Sequence, residues 1–168
     1  MPRFGRRPLP DEVKALALDP GERRLSWASR SGSGVVVATD LGLWLTSGDG
    51  GPVVRTNWAD IERVSWKRPL LMVFGIAAVE RTGKRTEIDL VDGGDLPEVV
   101  RSSVTASIGW SAHYRLRPAG GVRVVGRRRP GREVLDWQLV YDVDTDLDDP
   151  DVCAQAEQLR HDARRTIG

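Results

Sequence analysis

The fold is decided by the stretch DLPEVVRSSVTASI, residues 95–108. Apolar residues recur in it at four-residue spacing, which predicts an amphipathic helix with one buried face. Its first four residues resemble a capping box that has a proline at the second helical position. We expect Gly109, which follows directly, to end this helix. The apolar positions of the stripe are Leu96, Val100, Val104 and Ile108.

The chain before this helix has the pattern of β-strands separated by turns. Val35–Thr39 is rich in β-branched residues and predicts a buried strand, and Leu43–Thr46 follows it as the second arm of a hairpin. Leu70–Phe74 and Ile76–Val79 predict one further strand, bulged at Gly75. Because turn signals recur roughly every ten residues, we expect an antiparallel sandwich or barrel rather than βαβ repeats.

The chain after this helix predicts three further strands and a second helix. The strand-like runs are His113–Arg117, Val122–Val125 and Val134–Val143. Asp149-Pro150 is a typical helix start, and apolar residues then recur at helical spacing as far as Ala163. The resulting fold class is α+β and mainly β.

Three segments follow from this order of elements. Residues 1–10 are expected to be a flexible N-terminal tail, with a short helix or helical turn directly after them within Asp11–Leu18. Residues 11–109 form the β domain that the helix of residues 95–108 closes. Residues 110–168 form a C-terminal extension of three strands and one helix, which packs on that domain.

Five strings occur along the chain in a characteristic order. They are Gly21–Ala28, Val35–Asp40, Trp58–Trp66, Val124–Gly131 and Trp137–Asp142. In this order they resemble a family of actinobacterial proteins that contain a pleckstrin-homology-like (PH-like) domain. The resemblance runs from about Leu9 onward and implies an antiparallel barrel or sandwich closed by a helix. It implies no activity, because that family has no assigned activity.

The composition sets limits on location and on partners. The chain has 25 basic and 24 acidic residues and a net charge of +1, so no global field attracts it to nucleic acid or to an anionic membrane. Cys153 is its one cysteine, which excludes an intramolecular disulfide and suits a reducing compartment. No export signal is visible, and the longest apolar stretch is too short to cross a bilayer. We therefore expect a cytoplasmic protein.

The sequence contains no motif that is typical of a catalytic or metal centre. Gly83-Lys84 lacks the other residues of a nucleotide-binding P-loop, and no Gly-x-Ser-x-Gly motif occurs. Alternating aspartates from Asp142 to Asp151 look like the start of a calcium loop. However, Leu147 stands where the turn glycine belongs and Cys153 where the bidentate Glu belongs. We therefore predict no enzyme activity, no cofactor and no metal.

The most suggestive feature is a separation of charges after residue 112. Seven arginines and no acid occur from His113 to Arg132, and eight acids and no base occur from Glu133 to Asp151. Two readings are open. Pairing of the corresponding strands would neutralise both sets, whereas an exposed arginine ridge could bind phosphate or carboxylate groups bidentately. The candidate binding residues are Arg115, Arg117, Arg123, Arg127, Arg128, Arg129 and Arg132.

These observations favour a non-catalytic binding module whose ligand is a protein partner or a second copy of the chain. The alternative is a module that binds anionic phospholipid or nucleic acid through the arginine-rich hairpin of residues 115–132. The resemblance implies that lipid binding would use basic residues in the loop between the first two strands, where only Arg30 occurs. The balanced net charge argues against nucleic acid as a partner.

Overall fold

A computed structural model describes residues 8–48, 50–76 and 83–168 of the chain. Those residues form ten strands and three α-helices, so the predicted mainly-β class is confirmed. The helices are α1 (Asp11–Lys14), α2 (Leu96–Ser107) and α3 (Pro150–Ile167). The strands are β1 (Arg24–Ser29), β2 (Val35–Thr39), β3 (Gly42–Thr46), β4 (Val53–Asn57), β5 (Ile61–Lys67), β6 (Leu70–Gly75), β7 (Arg85–Asp89), β8 (Ile108–Arg115), β9 (Gly121–Arg127) and β10 (Asp136–Tyr141).

The strands form three antiparallel sheets. Sheet 1 has the order β1-β2-β3-β4, sheet 2 the order β5-β6-β7, and sheet 3 the order β10-β9-β8. Within the described ranges no sheet closes into a barrel, so the barrel alternative is wrong. The physical reason is that β4 and β5 do not pair: a 3-10 turn at Trp58–Asp60 separates them. In the described residues, one isolated β-bridge, between Arg30 and Leu90, joins the edges of sheets 1 and 2.

The main core lies between sheets 1 and 2 and α2. Inward-facing residues of both sheets, such as Val36 and Leu71, form one cluster with the buried stripe of α2. A smaller cluster forms on the other face of sheet 1, where Val13 of α1 packs against Val35 and Val37. The predicted short helix after residue 10 is therefore present.

Helix α2 confirms the apolar stripe but corrects both ends of the prediction. Its N-cap Asp95 makes no side-chain cap bond. The Asp95 carboxylate instead accepts a hydrogen bond from the Ser26 hydroxyl at 2.6 Å, so the capping box does not form. Ile108 is already the first residue of β8 and pairs with Arg127, so the helix ends one residue before Ile108.

Sheet 3 and α3 form the C-terminal part of the fold. Strand β8 begins at Ile108, five residues before the predicted start at His113. Helix α3 begins as predicted, because the Asp149 carboxylate accepts a hydrogen bond from the Asp151 N–H at 2.9 Å. Its stripe packs on the strands of sheet 3, where Val152 and Val122 share one cluster.

Two predictions extend beyond the described residues. Strand β6 ends at Gly75, and most of the predicted continuation over Ile76–Val79 lies outside the described ranges. Residues 1–7 of the predicted tail also lie outside them. Among the described residues, no helix combines the length and apolar character that a membrane span requires.

Candidate functional site

The structure spreads the seven candidate arginines along sheet 3, with exposed Arg123 within β9 and Arg127 at the end of that strand. Arg115 and Arg117 lie at the turn between β8 and β9, whereas Arg128, Arg129 and Arg132 follow β9 at its other end. The seven residues of β9 span roughly 20 Å between these ends. The arginines therefore do not form one continuous ridge.

Arg127 lies inside the protein, with only 2% of its surface exposed. Its guanidinium donates to the Ser107 hydroxyl at 2.8 Å, to the Val104 carbonyl at 3.5 Å and to the Glu62 carbonyl at 3.1 Å. Burial lowers the pKa of Arg127, an effect that the nearby charges of Glu62 and Asp60 oppose. This arginine joins sheet 3 to α2 and β5 and is not available to an external ligand.

Arg128 binds the C-terminal end of α2 from outside. Its backbone N–H donates to the Ser107 carbonyl at 2.7 Å. Its exposed side chain donates to the carbonyls of Ala106 and Ile108 at 3.4 and 3.1 Å. The last carbonyls of a helix lack partners within the helix and carry its negative dipole end. Arg127 and Arg128 together satisfy and neutralise this end of α2.

Two carboxylates neutralise the charge of Arg129. It makes two hydrogen bonds to the Asp60 carboxylate, at 3.1 and 2.5 Å, and two more to Asp136, at 2.8 and 3.2 Å. Hydrogen bonds to these two carboxylates raise the pKa of Arg129. The sequence predicted that ion pairs could neutralise the basic and acidic segments. Arg129, in the loop after β9, and Asp136, at the start of β10, form such a pair.

Most of the acid-rich segment does not meet the arginines. Asp142 pairs with His113 at 2.8 Å, Asp146 accepts a turn hydrogen bond from the Asp148 N–H, and Asp149 caps α3. In the part of the chain that the structure describes, no three His, Cys, Asp or Glu residues lie close enough together to hold a metal ion. Asp146 and Asp149 therefore serve a turn and a helix cap.

One of the candidate arginines lines a groove on sheet 3. The groove has a volume of about 710 Å³ and lies between the start of β10 and the second half of α3. Arg132 enters it from the loop before β10. Helical spacing places its other basic residues on one face of α3. These residues are Arg160, His161 and Arg164.

Part of the positive charge of the groove has no acidic partner among the described residues. Glu157 is paired with Arg160 at 2.5 Å, and Asp136 is paired with Arg129. Arg132 and Arg164 are exposed and have no acidic partner among the described residues. This leaves two guanidinium groups that can form bidentate hydrogen bonds with a carboxylate ligand.

An aromatic side chain and an edge strand complete the groove. Trp137, which lines it, packs beside Trp110 with the ring centroids 5.5 Å apart. Gly126 makes room for this arrangement, since a Cβ there would lie 2.8 Å from Leu135 Cδ1 and 3.1 Å from the Trp137 ring. Strand β10 pairs only with β9 in the described structure, so its other edge is open.

Sequence reasoning identified Arg132 but missed the rest of this groove. The basic residues of α3 lie near a helix C-terminus, where positive charge is favourable without any ligand, so their presence alone does not indicate a groove. Their spacing, together with Ala154 and Gln158 on the same face, is a signal for a helix surface that lines a cavity. Trp137 lies on β10, whose residues are all partly buried.

No protein-family model, no curated protein and no solved structure matches this chain.

Proposed function

We propose that this chain is a non-catalytic protein-binding module that holds an acidic, extended segment of a partner in the groove between α3 and β10. The observation that carries the proposal is the pair of unneutralised arginines, Arg132 and Arg164, beside an open strand edge. A flexible acidic segment supplies carboxylates to these arginines and apolar side chains to Trp137.

The open edge of β10 supports an extended ligand over a helical one. An added strand pairs with the free N–H and C=O groups of an edge strand, which gives affinity without regard to sequence. The neighbouring side chains then select the ligand. Here that selection is for acids, because Arg132, Arg164 and His161 are the groups that face the groove without an internal acidic partner.

The order of elements supports a PH-like architecture for residues 11–109 as part of this proposal. Seven strands in two sheets precede the amphipathic helix α2, which packs against both sheets. That arrangement is what the sequence resemblance implies, although neither sheet closes into a barrel. We also propose a cytoplasmic location, because a chain with a single cysteine suits a reducing compartment.

A protein partner explains the arrangement of the arginines better than nucleic acid or anionic phospholipid does. Arg127 and Arg129 are committed to contacts inside the chain, which removes them from any hairpin that could contact phosphates. The side chain of Arg30, the basic residue of the first loop, donates to the Thr46 carbonyl at 2.6 Å. A second copy remains a candidate partner, since its exposed segment 142–151 is acidic.

The proposal can be tested with a defined acidic peptide. The probe is an eight-residue peptide of alternating valine and glutamate, and the control probe replaces glutamate with lysine. We expect saturable binding of the acidic peptide by fluorescence anisotropy, about tenfold weaker binding in Arg132→Glu and in Arg164→Glu, and no binding of the lysine peptide.

Two matched variants control for the change in net charge. Arg115→Glu and Arg117→Glu alter exposed arginines at the other end of sheet 3, so we expect them to leave binding unchanged. Light scattering on the free chain tests the second-copy alternative. Equal loss of binding in all four variants, or no binding of the acidic peptide by the native chain, would overturn the proposed function.

A further inference from the structure

A second cavity lies between sheets 1 and 2 and shares no lining residue with the α3–β10 groove. Its volume is about 340 Å³, within the size range of small-molecule sites. One wall belongs to β3 and β4, and the other belongs to sheet 2. The apolar residues of the two walls are Leu43, Leu45, Val54, Ile61, Val73 and Ile88.

The cavity lies where the described strands of sheet 2 leave the inner face of β4 uncovered. Val54 pairs with Leu45, which in turn pairs with Val36, so the three side chains point to the same side of sheet 1. Val36 is fully buried in the main core, but Val54 is 54% exposed. An inward-facing valine this exposed marks an apolar surface that the fold leaves open to a ligand.

Among the described residues, the charged groups that line this cavity are two cations and no acid. Arg30 comes from the end of β1, and Lys84 directly precedes β7. The Arg30 guanidinium is already bonded to the Thr46 carbonyl. Lys84 is exposed and has no acidic partner among the described residues, so its ammonium group is available to an anion.

We propose that this cavity binds a small amphiphile that consists of an apolar chain and a carboxylate. The chain lies between the sheets against Leu45 and Val54, where it removes apolar surface from water. The carboxylate pairs with Lys84 at the edge of the cavity. A free ligand of this kind differs from a membrane surface, because its chain enters the space between the two sheets.

Titration of the full chain with dodecanoate below its micelle concentration tests the site by calorimetry. We expect saturable one-to-one binding, and binding at least tenfold weaker for dodecyltrimethylammonium, whose head group is a cation. Val54→Trp places an indole in the cavity and should weaken dodecanoate binding at least tenfold. Val53→Trp is the matched control, because Val53 is 52% exposed on the opposite face of the same strand.

The role of Lys84 is tested separately. Lys84→Glu should weaken dodecanoate binding about tenfold and reduce the preference over the cationic amphiphile. Lys67→Glu, an exposed lysine at the end of β5, should change neither. Circular dichroism confirms that each variant is folded.

Any one of several results would overturn the inference. They are no saturable binding of dodecanoate, equal binding by Val54→Trp and Val53→Trp, or equal binding by Lys84→Glu and Lys67→Glu. Binding to vesicles of anionic phospholipid without binding of free dodecanoate would also overturn it in favour of a membrane surface. The acidic-peptide experiment uses other residues, so each proposal can fail without the other.

Discussion

Arg129 and Asp60 form a two-pronged ion pair that joins the loop after β9 to the 3-10 turn before β5. The two residues are 69 positions apart in the sequence, and Arg129 also binds Asp136 at the start of β10. The pair therefore connects sheet 3 to the part of the chain that contains sheets 1 and 2. It also holds the loop that delivers Arg132 to the groove.

Loss of this ion pair should destabilise the fold moderately. We expect Arg129→Ala and Asp60→Ala each to lower the free energy of unfolding by about 1 kcal/mol, with a coupling energy of roughly 0.5–1 kcal/mol in a double-mutant cycle. Urea unfolding measures both quantities. Arg132→Ala is the control and should leave stability within about 0.5 kcal/mol of the native value. Strictly additive single-variant effects would contradict the contact.

Loss of the buried Arg127 should lower the free energy of unfolding more than loss of the Arg129–Asp60 ion pair does. Arg127→Met removes the guanidinium donor from the Ser107 hydroxyl and the Glu62 carbonyl inside the protein, so we expect a loss of about 2–4 kcal/mol in urea unfolding. Arg127→Lys should restore little of it, because lysine lacks the planar fork of donors. Arg123→Met changes an exposed residue on the same face of β9, and a comparable loss there would contradict the argument.

Lowering the pH should reduce the free energy of unfolding through protonation of Glu22. Burial alone would raise the pKa of Glu22, but hydrogen bonds from Thr39 and Trp44 outweigh it and lower this pKa below its ordinary value of 4.5. A carboxyl whose pKa is lowered by folding adds stability above its unfolded pKa, and that stability is lost as the pH falls through the folded pKa. We expect the free energy of unfolding to fall below about pH 4.5.

Glu22→Gln tests the assignment of this pH dependence. The variant should be less stable at neutral pH and should lose less stability than the native chain between about pH 5 and pH 3. Glu12→Gln serves as the control, since Glu12 is exposed and lies in α1. Parallel pH profiles for Glu22→Gln and the native chain would show that another group is responsible.

The shape of the groove should depend on Gly126. Gly126→Ala places a Cβ within 2.8 Å of Leu135 and 3.1 Å of the Trp137 ring, so one of these side chains must move. We expect about tenfold weaker binding of the acidic peptide and a loss of roughly 1–2 kcal/mol of stability. Gly75→Ala is the control, because its Cβ would meet only ordinary contacts. Unchanged peptide binding in Gly126→Ala would show that Trp137 does not shape the site.

Local patterns in the sequence were sufficient to predict the two long helices of this fold. The four-residue spacing from Leu96 to Val104 predicted α2, and Asp149-Pro150 predicted the start of α3, because helix periodicity and capping depend on neighbouring residues. The ends were less accurate. Ile108 continues the helical pattern, but its pairing with Arg127 places it in a strand.

The candidate site could be predicted only in part, because it depends on contacts between distant residues. In the sequence, nothing distinguishes Arg127 from the other arginines of the basic segment. Its burial follows from acceptors on α2 and β5, which include Glu62, 65 positions away. The groove brings Arg132 together with Arg164 although β10 and most of α3 separate them in the sequence, and no local pattern contains that relationship.

The most direct test of the central claim is an NMR titration of the labelled chain with the alternating valine–glutamate peptide. We expect the changes in amide chemical shift to concentrate in β10 and the second half of α3, and we expect the signal of the Trp137 indole to shift with them. We also expect the outward amides of β10 to become protected from exchange as the peptide pairs with them. Shifts confined to the turn that carries Arg115 and Arg117, or no protection in β10, would contradict the central claim.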